Sequence, residues 1–349
     1  MKKSFFKIGV IYFISILLLA TLFCLGYLGI IQNEILSSFL IQIVVMFAIP
    51  LLLYTVFISK NTKQTFTDAG FKKISRKMLF TSILLGFVLY LLNQFVASIF
   101  SGFITILGYE SLGGSASIKL NYEFLIKELV LTCILPAMCE EFLHRGILLS
   151  SNKKTGNPRF CLLISSILFG LTHLNINQFF YAAILGYLMG YVTLVSDSIY
   201  PAMIIHFMNN FLGSFIYYGM LLGLPISSYL YSLKSLLYSN VFTLSISIIF
   251  GIPLLLLLFK KLIKRMLIEK TKRDMNQVVK ELKSSMTTPE QAQEKINTIN
   301  SILNQSEGAK SYIGQHKNIK FTFKEKLFYI LSLILGTLIT ISSFIWGVL

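Results

Sequence analysis

The sequence predicts an all-α membrane protein, a polytopic transmembrane bundle of about nine spans with a small cytosolic helical segment. Of its 349 residues, 55% are hydrophobic and the mean hydropathy is +0.72, which is too apolar for an ordinary soluble domain. Apolar runs of about 20 residues, the length that crosses a ~30 Å hydrocarbon core, recur along the chain. The basic residues cluster between these runs, as is typical of cytoplasmic loops.

The basic clusters also predict the direction of each span. Lys2, Lys3 and Lys7 precede the first apolar run, so the N-terminus is expected in the cytoplasm of a multi-pass cell-membrane protein. Every other Lys and Arg also falls on the cytoplasmic side except Lys119, Lys127, Lys234 and the intramembrane Arg145. The predicted spans cover roughly residues 8–31, 36–58, 79–107, 124–149, 160–174, 178–195, 200–222, 239–259 and 327–347.

Composition divides the chain into five segments. Polar and basic residues with helix-forming Gln, Glu and Lys fill 274–326, so this stretch is expected to lie in the cytosol. It is expected to decorate the membrane core, and the alternative is that it recruits a cytosolic partner. The segments are N-terminal transmembrane helices (1–121), a membrane core (122–225), the eighth span (226–260), a basic cytosolic segment (261–326) and a C-terminal transmembrane helix (327–349).

Several other classes of protein are excluded. The net charge of +16 does not indicate nucleic-acid binding, because the basic residues lie between spans. The four cysteines show no CxxC spacing and fall in or beside apolar runs, which favours free thiols over disulfides or a zinc cluster. The first apolar run is too long for a signal peptide and is expected to be a retained span.

A cluster of ionisable residues in the fourth span is the first candidate site. Glu140, Glu141 and Arg145 lie where a spanning helix rarely carries charge, and such residues usually face a protein interior and serve a function. Glu141 and Arg145 are four apart and can pair. Glu140 lies about 100° around the helix and can point elsewhere. Pro136 should kink the helix just before the acids, because it removes a donor to the Thr132 carbonyl.

The next spans bring further polar residues. The fifth span is short and is interrupted at Asn175-Ile-Asn177, so His173 is expected near a polar cavity inside the protein. The seventh span carries His206 and Asn210 four apart on one face, with Asp197 and Ser198 expected to cap it. The sixth span shows a small-residue packing face at Ala182, Gly186 and Gly190.

These side chains fit the hydrolysis of a peptide bond. A Glu and a His beside a water supply a general base and a group that orients the nucleophile, and a second His with an Asn can donate to an oxyanion. Metal binding stays open at this point: Glu140, His173 and His206 could hold a divalent ion such as zinc, although the HExxH pattern is absent.

The three motifs resemble those of the CPBP (CAAX protease and bacteriocin-processing) intramembrane proteases, which include the type II CAAX prenyl endopeptidase. The family pattern is EExxxR, FxxxH and HxxxN on successive helices, and residues 124–222 contain all three motifs in that order, as Glu140-Glu141-Phe-Leu-His-Arg145, Phe169-Gly-Leu-Thr-His173 and His206-Phe-Met-Asn-Asn210. The resemblance implies that Glu140 and His173 activate water and that His206 and Asn210 stabilise the oxyanion. It also implies that Glu141 and Arg145 brace the site and that Phe169 contributes packing. Both metalloprotease and metal-free glutamate mechanisms have been considered for the family, so a cofactor is either not required or a divalent metal.

The leading functional hypothesis is therefore an intramembrane endopeptidase that cuts a membrane-associated peptide or protein. The alternative is a non-catalytic immunity or peptide-binding protein that uses the same cavity. A proton-relaying transporter is less favoured, because the inverted repeats common in such folds are missing from the sequence. The preference for Lys, Ile and Asn over Ala points to a low-GC bacterium, where a peptide is a more plausible substrate than a prenylated protein.

Overall fold

The protein is built from helices alone in the parts that the structure describes, which confirms the predicted fold class. A computed structural model describes residues 2–110, 120–153, 157–238, 241–284, 294, 297 and 321–348, and eleven helices without a strand occupy these ranges. The helices are α1 Lys2–Tyr27, α2 Glu34–Ser59, α3 Thr62–Asp68, α4 Arg76–Ile106, α5 122–153, α6 Pro158–Leu171, α7 Ile176–Ser196, α8 Tyr200–Leu221, α9 Pro225–Tyr238, α10 241–284 and α11 Phe323–Val348.

Side-chain caps explain where many of these helices begin. Helices α2 to α7 each follow an Asn or Ser whose side-chain oxygen accepts a backbone N–H of the first turn. Such a bond satisfies one of the donors that a helix start leaves unpaired. The capping residues are Asn33, Asn61, Ser75, Asn121, Asn157 and Asn175.

The predicted cap of α8 is wrong. Asp197 has a left-handed backbone conformation (φ 51°) and ends α7, and its carboxylate pairs with Lys72 and lies 3.9 Å from Arg273. Ser198 donates to the Lys72 carbonyl at 2.7 Å, while Ile199 occupies the N-cap position without a side-chain bond. Asp197 therefore forms ion pairs with distant residues and does not cap α8.

The number of spans stays approximate. Within the described ranges, six helices are long and apolar enough to cross a membrane: α1, α2, α4, α7, α10 and α11. Helices α8 and α9 are long and apolar enough to cross a membrane only when they are taken together, and the chain bends by 106° between them. The predicted fourth and fifth spans are helices α5 and α6, but α5 carries the charged cluster and α6 has only 14 residues. The chain is therefore a multi-pass membrane protein. Its predicted fourth span is unusual because it is charged, and its predicted fifth span is unusual because it is short.

The fifth predicted span ends inside the bundle, as expected from its short length. Helix α6 stops at Leu171, Leu174 adopts a positive φ of 52°, and Asn175 caps α7. The two helices then pack against each other closely. This break places the turn that carries His173 among the other helices.

The eighth predicted span continues as one long helix. Helix α10 extends to Ser284, so it crosses the expected boundary at residue 260 and includes the first part of the basic segment. The remainder of the polar stretch 274–326, which is expected in the cytosol, lies largely outside the described residues.

Buried apolar side chains form two clusters in the described part of the chain. One joins α1, α2, α5 and α6 around residues such as Tyr12, Phe142 and Leu168. The other joins α4, α7, α8 and α10 around residues such as Leu89 and Met189. The first cluster includes Cys139 and Phe142 of α5, and the second includes Phe169, whose ring lies over Arg145.

Substituting Gly170 with alanine tests the close packing of α6 against α7. A Cβ atom at Gly170 would lie 2.7 Å from the Phe179 carbonyl oxygen and 2.9 Å from the Ala183 Cβ, neither of which can swing aside. We expect Gly170→Ala to lower the free energy of unfolding by about 1–3 kcal/mol, the usual cost of overpacking. Thermal unfolding in detergent is the measurement. Gly102→Ala is the matched control, since a Cβ there meets nothing within 4 Å, and equal loss in both variants would contradict the packing model.

Candidate active site

The centre of the site is the Glu141 carboxylate, which is fully buried. Its Oε1 atom accepts a hydrogen bond from Arg145 Nη1 at 2.7 Å and lies 2.9 Å from His206 Nδ1. A buried carboxylate without partners would be strongly destabilising, so the guanidinium and the imidazole are what permit Glu141 to lie here. The pair that the spacing predicted is present, and it also joins α5 to α8.

Arg145 is held from three sides. Besides pairing with Glu141, its Nη2 atom donates to the Gly186 carbonyl at 3.0 Å, and its guanidinium carbon lies 4.2 Å from the centre of the Phe169 ring. A Cβ at Gly186 would lie 3.0 Å from Phe169 and 3.4 Å from Arg145 Nη2. The predicted small-residue face of α7 therefore admits the arginine as well as a neighbouring helix.

Phe169 forms the apolar floor of the site. Its ring meets those of His144, His173 and His206 edge-to-face, with centroids 5.0, 5.2 and 5.7 Å away. His144, which the motif did not single out, is buried, and its Nδ1 lies 3.3 Å from the Tyr12 hydroxyl. Phe169 does contribute packing, and it also keeps the histidine rings in fixed orientations.

His173 lies in the turn after α6 with one nitrogen already engaged. Its Nδ1 lies 3.0 Å from the Phe169 carbonyl oxygen. A carbonyl oxygen only accepts, so Nδ1 must carry the proton. In the neutral ring Nε2 then keeps its lone pair, ready to accept a proton or a hydrogen bond from water.

Glu140 points away from the buried pair, as its position on the helix predicted. It is partly buried, and its Oε1 accepts a hydrogen bond from Gln42 Nε2 of α2 at 2.8 Å. Sequence reasoning missed Gln42, although an amide in the middle of an apolar span is itself an unusual residue. The bond fixes one oxygen of the Glu140 carboxylate without neutralising its charge.

Asn210 binds a backbone carbonyl that Pro136 leaves without its helical hydrogen bond. Pro136 has no N–H to donate to the Thr132 carbonyl, and Asn210 Nδ2 donates to that oxygen at 2.8 Å. The backbone of α5 also winds in wide π-type turns over Leu129–Ile134 and Phe142–Ser150, on either side of the acids. Such turns often occur at functional sites.

All four residues expected to be catalytic line one cavity of about 580 Å³, which we call the amide cavity. Glu140 comes from α5, His173 from the turn after α6, and His206 and Asn210 from α8. The cavity owes its name to further side-chain amides that the motifs did not include, which belong to Asn93, Gln94, Gln178 and Asn209.

Two of these amides bond to each other. Asn93 Nδ2 donates to Asn209 Oδ1 at 3.2 Å, and both residues are buried. Asn93 and Gln94 interrupt an apolar span, which is the signal that could have identified them from sequence. Asn209 precedes the motif residue Asn210 and is easily overlooked beside it.

The proposed metal ligands do not form a preorganised metal site. Among the described residues, no group of three or more His, Cys, Asp or Glu side chains is placed to hold an ion. Glu140, His173 and His206 line the same cavity, but among the described residues they are not grouped closely enough to hold an ion.

The fold and the site together define a helical membrane protein with a buried ion pair beside a polar, histidine-lined cavity. Residues 122–212 match the family model described as Rce1-like, type II CAAX prenyl endopeptidase Rce1-like. The match confirms the resemblance for about a quarter of the chain, from the start of α5 into α8. No curated protein and no solved structure matches the chain significantly.

Removing Arg145 tests the role of the buried pair. Arg145→Met should lower the free energy of unfolding by about 3–5 kcal/mol, because it leaves the Glu141 carboxylate buried with too little compensation. The double variant Glu141→Gln/Arg145→Met should be more stable than the single variant, since it buries no carboxylate. Unfolding in mixed detergent micelles measures both. A double variant no more stable than Arg145→Met would show that the buried charge does not explain the loss.

Proposed function

We propose that this protein is an intramembrane endopeptidase that hydrolyses a peptide bond of a membrane-associated peptide or protein. The match to a CAAX-type prenyl endopeptidase model supports a protease of this type. The observation that carries the proposal is the common cavity, because Glu140, His173, His206 and Asn210 come from distant parts of the chain and line one polar chamber. The proposal also places the N-terminus in the cytoplasm, in accordance with the basic clusters.

Glu140 and His173 activate the water in this mechanism. The Glu140 carboxylate takes a proton from water while the water oxygen bonds to the carbonyl carbon of the substrate. His173 Nε2 accepts a hydrogen bond from the same water and orients it, because Nδ1 is already committed to the Phe169 carbonyl. Glu140 then gives its proton to the departing amine when the C–N bond breaks.

His206 and Asn210 stabilise the oxyanion. The carboxylate of Glu141 accepts the hydrogen bond of His206 Nδ1–H and so fixes the orientation of the ring. The opposite nitrogen, Nε2, donates to the oxyanion when the ring carries a proton on both nitrogens. Asn210 Nδ2 keeps a second N–H after bonding to Thr132. Donors fixed before the reaction are what an oxyanion site requires.

Neutralising Glu140 tests the proposal most directly. We expect Glu140→Gln and His173→Ala to lower peptide cleavage by about 10²–10⁴-fold, the usual contribution of a general base. The measurement compares, by mass spectrometry, peptides released from bacterial membranes that contain the unaltered protein or a variant. Glu128→Gln is the matched control, because it makes the same change on α5 at a residue that bonds to Ser214 and does not line the amide cavity.

The alternative, a non-catalytic immunity or peptide-binding protein, gives a different outcome. If Glu140→Gln and His173→Ala fold and leave both the peptide pattern and any protective phenotype unchanged, the protease function is excluded.

Chelation tests the metal question separately. Since the donor atoms do not converge, we expect cleavage to stay within about twofold after treatment with a strong zinc chelator. Loss of cleavage that returns on addition of zinc would show instead that the site gathers a metal ion during catalysis.

A further inference from the structure

A second cavity begins at the same Glu140–His173 pair. It has a volume of about 450 Å³ and is bounded mainly by α1, α2 and the turn after α6, and we call it the α1 cavity. Glu140, His173 and Gln178 line both the α1 cavity and the amide cavity. The remaining walls come from different helices, so the two cavities extend away from these shared residues in different directions.

The walls of the two cavities differ in chemistry. Apolar side chains of Leu19, Leu22, Phe23, Ile41 and Met46 dominate the α1 cavity. Such a wall cannot bond to a polar side chain, and an unsatisfied polar group in an apolar environment is strongly unfavourable. The α1 cavity is therefore suited to large apolar side chains.

The amide cavity instead offers hydrogen bonds to its occupant. Asn209 is 8% exposed, and its Nδ2 atom has no hydrogen-bond partner within the part of the chain that the structure describes. Its Oδ1 is already bonded to Asn93. A free buried donor of this kind is matched by an acceptor such as a peptide carbonyl or a polar side chain.

We propose that the substrate crosses both cavities and is cut where an apolar segment meets a polar one. Large apolar side chains on one side of the scissile bond occupy the α1 cavity. The polar residues on the other side enter the amide cavity, where Asn209 donates to them. This inference rests on the proposed protease function and adds the substrate class: peptides cleaved at the boundary of a membrane-inserted apolar segment.

Three glycines allow a matched test. A Cβ at Gly26 meets only a carbonyl oxygen at 4.0 Å, and a Cβ at Gly213 or Gly102 meets nothing within 4 Å. Gly26 lines the α1 cavity and Gly213 lines the amide cavity. Gly102 lies on α4 and lines neither cavity, so Gly26→Leu, Gly213→Leu and Gly102→Leu make the same change in three places.

The assay uses the purified full-length protein and fluorogenic peptides of defined pattern. One peptide has a Leu/Phe half joined to a Ser/Asn half, in each of the two orders. A second has the same composition with the residues alternating, and a third has Ala in place of Leu and Phe. We expect kcat/KM for the better split peptide to exceed that of the alternating one by at least about tenfold, the low end of what a fitted apolar side chain contributes.

The variants should then separate the two cavities. Gly26→Leu should remove most of the advantage in kcat/KM that the Leu/Phe peptide has over the Ala peptide, because large side chains compete with the added leucine for the same space. Gly213→Leu should lower cleavage of the Leu/Phe peptide and of the Ala peptide by the same factor, because the Ser/Asn halves of the two peptides are identical. Gly102→Leu should change neither rate.

The failures are distinguishable. If Gly26→Leu behaves like Gly102→Leu while Glu140→Gln still abolishes cleavage, the two-cavity substrate is wrong and the protease function stands. If the unaltered protein cleaves no peptide, fluorescence anisotropy measures whether it binds the same peptides selectively. Selective binding of the split peptide that Gly26→Leu weakens would support the two-cavity groove without catalysis, and equal binding of all peptides would overturn it.

Discussion

The buried Glu141 carboxylate is the constraint on which the rest of the site depends. A charge so far from solvent requires compensation, and here one oxygen, Oε1, serves both Arg145 of its own helix and His206 of α8. The arginine must in turn be accommodated, which requires the bare backbone at Gly186 and the ring of Phe169. One ion pair therefore determines how α5, α6, α7 and α8 approach each other, and it fixes the imidazole that faces the cavity.

Interrupted helices supply the space around this pair. Pro136 leaves the Thr132 carbonyl for Asn210, wide turns of α5 flank the acids, and α6 stops early enough for His173 to lie in a turn. Irregular backbone at membrane depth is tolerated only where protein or a polar cavity surrounds it. The same features that make α5 and α6 poor spans by composition thus make room for an amide-lined chamber.

Much of this organisation could be predicted from local sequence. Apolar runs predicted the helices, and the short run before Asn175 predicted the broken span. The spacing of Glu141 and Arg145 predicted their pairing. Each of these features depends on residues close together in the chain. The cap expected at Asp197 was wrong for the opposite reason, since its carboxylate pairs with Lys72 and Arg273 from distant segments. Gln42, Asn93 and Asn209 were missed because single amides carry no spacing that marks their partner.

The sequence by itself determined the class of protein, the order of the helices and the motif residues that point to hydrolysis. These follow from hydropathy, helical periodicity and charge, which act over a few turns of helix. Only the tertiary structure decided which oxygen of which acid meets which histidine, that Gln42 holds Glu140, and that Glu140 and His173 line two chemically different cavities. Those relations join residues many tens of positions apart, and they are set by how the helices pack, which no local pattern encodes.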